Sequence, residues 1–553
     1  MKKIYILFAC LSCFFLGSFI TKTLENQSIT IEIIKNAEKL IGLEFTPAEA
    51  DSMIGELKDN RDSYEKIRQI KLSNDVTPAI YFNPIPVGFE FEKIQNPIKF
   101  SSVGAVKLPK NRDDLAFYSV RELAELIRTK QITSVELTIF FIERLKKYND
   151  KLMFVVSFTE ELALKQAAQA DAELKAGKYR GVLHGIPYGA KDLLATKNYK
   201  TTWGSVPYKD QTIDQNATVI ERLEKAGAVL CAKLTLGELA MGDVWFGGRT
   251  RNPWNTERGS SGSSAGSASA VSAGCLPFAI GSETLGSIVS PSTECGTTGL
   301  RPTFGRVPRT GAMALSWSMD KLGPICRTVE DCAIVFNAIK GVDKKDFTCF
   351  DAPFNYDGTK GLKGVRIAYL KKDFEAKYPN KSADSLTLLK LKELGANLIE
   401  LELPDLPTND LTFLLSAESA AAFDELTRSG KDDLMVRQGK FAWPNYFRAS
   451  RFIPAVEYIQ ANRVRTLLIQ QMHEKLKNID VYISPSFGKN LALTNLSGHP
   501  CVVLPNGFRT DKNQPTRPTS ITFMGQLFGE AKLLQVAKVY QDATDFHKKH
   551  PNL

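Results

Sequence analysis

An α/β fold, built on a large mixed and mainly parallel sheet with helices on both faces, is predicted by three observations. First, Asn216-Ala-Thr-Val-Ile-Glu-Arg-Leu-Glu-Lys-Ala-Gly227 reads as an amphipathic helix with a glycine stop, and Ala228-Val-Leu-Cys-Ala232 follows as an apolar strand. Second, the same unit recurs between Ser382 and Leu403, and as strand then turn at Asp480-Val-Tyr-Ile-Ser-Pro485. Third, Ser119-Val-Arg-Glu122 and Thr133-Ser-Val-Glu136 are capping boxes, in which each helix-start hydroxyl and the glutamate three residues on satisfy each other's backbone N–H. Strands alternating with helices imply βαβ units, whose strands are buried on both faces.

The elements divide the chain into three parts. Residues 1–20 hold two lysines and then an uncharged apolar run, the layout of an export signal or of an N-terminal anchor. Residues 21–110 are expected to form a mostly helical extension, helical in pattern from Ile29 to Leu72 and then extended and proline-containing to Lys107. Residues 111–553 would form the main domain, and a chain of 553 residues can bury one very large core or two ordinary ones. The net charge of +10, from 71 basic and 61 acidic side chains, is scattered, as in Arg144-Leu-Lys-Lys147. It reads as a solvated surface and argues against nucleic-acid binding. Seven cysteines follow the N-terminal run (Cys231, Cys275, Cys295, Cys326, Cys332, Cys349 and Cys501), without metal-ligand spacing and mostly in apolar segments. They are expected to be small buried hydrophobes.

Two serine-glycine loops and one lysine carry the chemistry. The first loop is Gly259-Ser-Ser-Gly-Ser-Ser-Ala-Gly-Ser267 and the second is Gly281-Ser-Glu-Thr-Leu-Gly-Ser-Ile-Val289. A flexible linker is flanked by polar sequence, but here small and apolar residues run on to Ile280 without a charge. A nucleotide-binding loop is excluded because neither loop ends in Gly-Lys-Ser/Thr. Gly262-Ser-Ser264-Ala-Gly266 matches a nucleophile elbow with Ser264 as nucleophile and His499 as the one histidine in a plausible buried loop. The polar, turn-forming stretch Gly247–Arg258 stands where that elbow needs a hydrophobic strand. Lys191 lies in Gly185-Ile-Pro-Tyr-Gly-Ala-Lys191-Asp192, among apolar neighbours. Burial disfavours the charged amine, and a neutral amine can accept a proton.

These three segments resemble the hallmark loops of the amidase signature family. Ala226–Thr235, Arg251-Asn-Pro-Trp-Asn255, Gly299-Leu-Arg-Pro-Thr-Phe-Gly-Arg306, Asp320-Lys-Leu-Gly-Pro324 and Asn495–Gly507 are similar to further family blocks in family order. The resemblance runs from about Tyr118 to the end. It implies that Ser287 is the nucleophile, Lys191 the base, and Ser263, held by a cis peptide bond, the serine that relays the proton. It also implies an oxyanion hole from the backbone N–H groups of Thr284, Leu285, Gly286 and Ser287, supporting roles for Ser264 and Glu283, and no metal or cofactor.

Where the family has glycine, aspartate and arginine, this chain has Leu285, Glu283 and Val289. The last two changes, with Gly247-Gly-Arg-Thr-Arg-Asn-Pro253, resemble bacterial peptide amidases. The expectation is an exported amidase, periplasmic or secreted, that cleaves a linear carboxamide to carboxylate and ammonia or amine through an acyl-enzyme on Ser287. Its partner would be a small amide or peptide-amide substrate, with Val289 favouring uncharged acyl groups and the segment Ser416–Pro454 shaping the pocket. One alternative is the glutaminase subunit of a tRNA-dependent amidotransferase; another is a non-catalytic cell-surface binding protein on the same fold.

Overall fold

The computed structural model describes residues 28–510, 512 and 515–553. The expected export signal, residues 1–20, lies outside the described residues, among which no helix is long and apolar enough to cross a membrane.

The residues up to Ser73, with Phe452–Pro454, form one compact unit, and the rest forms a second, larger one. The smaller unit contains helices α1 (Ile31–Ile41) and α2 (Pro47–Arg68). α2 opens on a capping box between Thr46 and Glu49, with Pro47 at its first position where no backbone donor is needed. The extension therefore does not behave as one piece to residue 110. From Asn74 onward it belongs to the larger unit, held by side chains that capture extended backbone: Ser101 N–H donates to Glu330 at 2.8 Å and Asn96 N–H to Asn355 at 2.6 Å.

The larger unit is organised on one sheet of 11 strands. In chain order these are β1 (Val155–Phe158), β2 (Pro187–Lys191), β3 (Val229–Leu234), β4 (Phe278–Glu283), β5 (Thr298–Arg301) and β6 (Lys321–Cys326). They continue with β7 (Ile367–Tyr369), β8 (Leu398–Glu400), β9 (Val481–Pro485), β10 (Cys501–Arg509) and β11 (Arg517–Gly525). Across the sheet the order is β1-β3-β2-β4-β6-β5-β10-β11-β9-β7-β8.

The mixed sheet is as expected, but it is not mainly parallel. Parallel pairing is confined to β3-β2-β4 near one edge and β9-β7-β8 at the other. Every other junction is antiparallel. The reason lies in the connections. Parallel neighbours need a long crossover, and the helix–strand units legible in the sequence serve these flanks. The β10–β11 hairpin closes through a short loop that permits only antiparallel pairing.

Local signals hold where they were read. The capping boxes open α3 (Val120–Arg128) and α4 (Ser134–Leu152), and α5 (Thr218–Lys225) leads through Gly227, at φ +89°, into β3. The seven cysteines are free, and all but Cys349 are buried. Replacing Thr133 with Ala removes the cap of α4 and is expected to cost about 1 kcal/mol. A urea titration showing less than about 0.3 kcal/mol would contradict that role for the hydroxyl.

Candidate functional site

Strand direction brings the expected residues together. β2 and β4 run parallel and side by side, so their carboxyl ends open on one edge of the sheet, where α/β folds commonly bind ligands. Lys191 is the last residue of β2, and Ser282 and Glu283 are the last two of β4; both strands are buried throughout.

The Lys191 amine is wholly buried, and its hydrogen-bonding neighbours are neutral serine oxygens. Its Nζ lies 2.8 Å from Ser263 Oγ, 2.8 Å from Ser282 Oγ, 3.1 Å from Ser264 Oγ and 3.5 Å from the Ser282 carbonyl. The adjacent carboxylate, Asp192, turns away. Its Oδ1 pairs with Lys233 Nζ at 2.7 Å, and its Oδ2 accepts from the Thr202 N–H and hydroxyl. With no ion pair, burial lowers the Lys191 pKa to about 7, against a weaker opposing pull from Asp320 and Glu283. Near neutral pH a large fraction of the amine is therefore unprotonated and basic.

The serine-glycine loop is no linker. Helix α6 (Ala265–Ser272) follows it, with all eight residues buried and each small side chain admitting backbone close by. Ser267 and Ser269 donate to the carbonyls of Ile280 and Arg251, at 3.1 and 2.8 Å. The Gly262–Ser263 peptide bond is cis, as expected. Gly262 is required there, because a Cβ would overlap the carbonyl of Gly242. Ser264 stitches the loop to β4, accepting from Ser282 N–H at 3.1 Å and donating to Ser282 O at 3.0 Å. Its N–H donates to the Ser287 carbonyl at 3.2 Å, which sets the two serine loops in register. Lys191 and Ser263 thus form one direct link. No bond between the Ser263 and Ser287 hydroxyls is present among the described residues, although Ser287, unlike Ser263, is partly exposed.

Glu283 fixes the Ser287 loop. Its Oε2 accepts from the N–H groups of Ile288 at 2.8 Å and Val289 at 3.0 Å. Its Oε1 takes Arg301 at 2.7 Å and Asn495 at 2.9 Å, the latter from α8 (Lys489–Ser497). Burial alone would push this carboxyl up; the Arg301 guanidinium overrides burial and holds its pKa at about 2. A second brace joins the Thr284 hydroxyl to Asp320 at 2.6 Å. Between the braces, Gly286 takes φ +95°, a conformation that favours glycine, and α7 (Val289–Cys295) begins directly after the loop. Among the described residues, the N–H groups of Leu285, Gly286 and Ser287 donate to no protein acceptor. They remain available to a ligand.

Two expectations need correction, and the rejection of the elbow stands. Val289 is wholly buried with Met319, Tyr482 and Leu493, and Leu285 packs against that cluster, so Val289 gives no direct reason to prefer uncharged acyl groups. The Ser416–Pro454 segment does not line the cavity that meets the site at Ser282 and Thr284; within it Phe447 stacks on Phe423 and Trp443 at 5.5 and 5.2 Å, while Phe441 and Phe452 are exposed. The elbow reading fails in space. The His499 ring pairs with Ser497 at 2.8 Å and its carbonyl accepts from Arg301, whereas Ser264 is engaged with Lys191 and Ser282.

A cavity of about 260 Å³ meets this site at Ser282 and Thr284 and extends past Leu193, Met313 and Trp317. Sequence reading missed Ser282, Arg301, Asp320 and Lys233. Arg301 and Lys233 sit in apolar strands and Asp320 leads straight into one, where a charged residue is itself a signal that a partner must be near. Ser282 carries no such signal.

The chain belongs to the amidase signature family: it matches the Amidase family over residues 136–493. It is 34% identical, over 79% of its length and 99% of the relative's, to a glutamyl-tRNA(Gln) amidotransferase subunit of Coxiella burnetii (strain Dugway 5J108-111). A peptide amidase solved with the competitive inhibitor chymostatin is 28% identical with a TM-score of 0.71, covering 80% of this chain and all of that one. The native peptide amidase of Stenotrophomonas maltophilia is 28% identical with a TM-score of 0.69, covering 78% of this chain and 97% of that one.

Glu283→Gln leaves Arg301 buried without its counter-charge and turns two amide hydrogens towards existing donors. It is expected to destabilise the fold by about 3 kcal/mol or more, measured by chemical denaturation. A loss below about 1 kcal/mol would remove Glu283 as the brace of the loop.

Proposed function

We propose that this chain hydrolyses a linear carboxamide through an acyl-enzyme on Ser287, with Lys191 as base and Ser263 as the serine between them. The observation that carries the proposal is a buried, ion-pair-free Lys191 amine held 2.8 Å from Ser263 Oγ. A serine hydroxyl is a poor nucleophile until a base removes its proton. Neutral Lys191 takes the proton of Ser263 as Ser263 takes that of Ser287, and the Ser287 oxygen attacks the amide carbon. The N–H groups of Thr284, Leu285, Gly286 and Ser287 receive the developing oxyanion, where one such donor is worth about 100-fold or more in rate. The proton returns by the same path to the leaving nitrogen, which departs as ammonia or amine. Water, deprotonated by the same relay, then adds to the acyl carbon and releases the carboxylate.

Two donors of ammonia fit this chemistry. Glutamine is favoured by the glutamyl-tRNA(Gln) amidotransferase relatives, of which the Coxiella burnetii protein is matched over 99% of its length at 34% identity. A peptide C-terminal amide is supported by the Glu283 and Val289 variant of the loop and by the peptide amidases at 28% identity. The apolar run that ends at Ile20 supports export and so the second donor. Ammonia release by the isolated chain decides between them. Faster turnover of L-glutamine, with the protein in the cytosolic fraction, selects the amidotransferase reading; faster turnover of amino-acid or peptide amides selects the amidase.

In either case Ser287→Ala is expected to lower kcat by about 1,000-fold or more in a folded protein. Retained turnover would exclude the acyl-enzyme. Because the base must be unprotonated, kcat/KM should rise about tenfold per pH unit below the Lys191 pKa of about 7 and level off above it. A profile flat from pH 5 to 9 would exclude Lys191 as the base.

A further inference from the structure

The segment Asn74–Thr77 lies outside the family match, yet Asn74, Asp75 and Thr77 line the cavity that meets the site at Ser282 and Thr284. Asn74 is pinned there by a two-point bond. Its Oδ1 accepts from Ala314 N–H at 2.6 Å and its Nδ2 donates to Ala314 O at 2.9 Å. This side-chain amide pairs with the Ala314 backbone as a neighbouring strand would. The contact is continuous with the reacting centre. The next two N–H groups, of Leu315 and Ser316, donate to Asp320 Oδ2 at 2.8 and 2.9 Å, and Asp320 Oδ1 takes the Thr284 hydroxyl at 2.6 Å.

We propose that Asn74–Thr77 is a specificity wall of the substrate pocket, which limits the bulk of the group attached to the reacting carbonyl. The proposal rests on the acyl-enzyme reading. The cavity it bounds holds about 260 Å³, just below the range of about 300–1,000 Å³ typical of sites for drug-sized ligands, so bulk at its wall matters. A wall built from outside the family match means that substrate choice in this chain is set partly by residues its relatives need not share. Asn74 positions the wall and, through Ala314 and Asp320, the start of the Ser287 loop. Thr77, half-buried, presents the surface that substrate meets.

The test compares the rates at which Ser287 is labelled by a small alkyl fluorophosphonate and by a bulky aryl one, with the full chain and with two variants. Labelling requires the nucleophile but no amide turnover. Asn74→Ala loosens the wall and is expected to raise the bulky-to-small rate ratio. Thr77→Phe fills the space and is expected to lower it, by about tenfold in each direction, the scale on which a pocket discriminates small changes in apolar volume. Thr77→Leu replaces Thr77→Phe if circular dichroism shows that the larger side chain prevents folding. Ratios unchanged within about twofold in folded, labelled variants would overturn the wall while leaving the nucleophile intact. Absence of Ser287 labelling in the unmodified chain would overturn the acyl-enzyme reading and the wall with it.

Discussion

The chemistry of the site depends on one buried amine that lacks a carboxylate. Lys191 and Lys233 are both fully buried on adjacent strands, but the fold treats them oppositely. Lys233 holds Asp192 at 2.7 Å, whereas Lys191, the sequence neighbour of that same aspartate, meets only serine oxygens. A buried ammonium with no counter-ion costs several kcal/mol, and the protein avoids the cost by favouring the neutral amine. Asp192, the first residue of the turn after β2, is held away from the Lys191 amine by Lys233 and by the Thr202 N–H and hydroxyl.

The Ser287 loop depends on a complementary choice, a charge that is paired. Glu283 spends four hydrogen bonds on two backbone N–H groups, Arg301 and Asn495, joining β4, β5, α7 and α8 at one point. Because the two N–H groups that Glu283 claims lie just after Ser287, the turn bearing that serine has little freedom. The donors before it, from Leu285 to Ser287, are left pointing at no protein acceptor among the described residues. Preorganised donors of this kind need no rearrangement when charge develops.

Much of this site was legible in the sequence because its chemistry is local. The capping boxes, the glycine stop at Gly227 and the serine-glycine loops are read from neighbours, and Lys191, Ser263 and Ser264 do meet in space. What escaped was set by pairing between distant strands. In the antiparallel middle of the sheet only the β10–β11 pair is a hairpin; pairs such as β5–β10 join strands far apart in the chain. Ser282 joins Lys191 only because β2 and β4 are parallel neighbours. The Ser416–Pro454 segment looked like a pocket lining because it is aromatic, but Phe423, Trp443 and Phe447 stack on each other instead. The cavity wall at Asn74–Thr77 was invisible because its role depends on a contact 240 residues away.

The most direct test of the central claim is a titration of Lys191 itself, by NMR of protein labelled at the lysine side-chain carbons and nitrogens. The resonance is assigned by its loss in Lys191→Met. One lysine is expected whose Nζ deprotonates near pH 7, while solvent-exposed lysines titrate at about 10.4. A Lys191 that stays protonated to pH 9 would contradict the claim, because no neutral base would then stand beside Ser263.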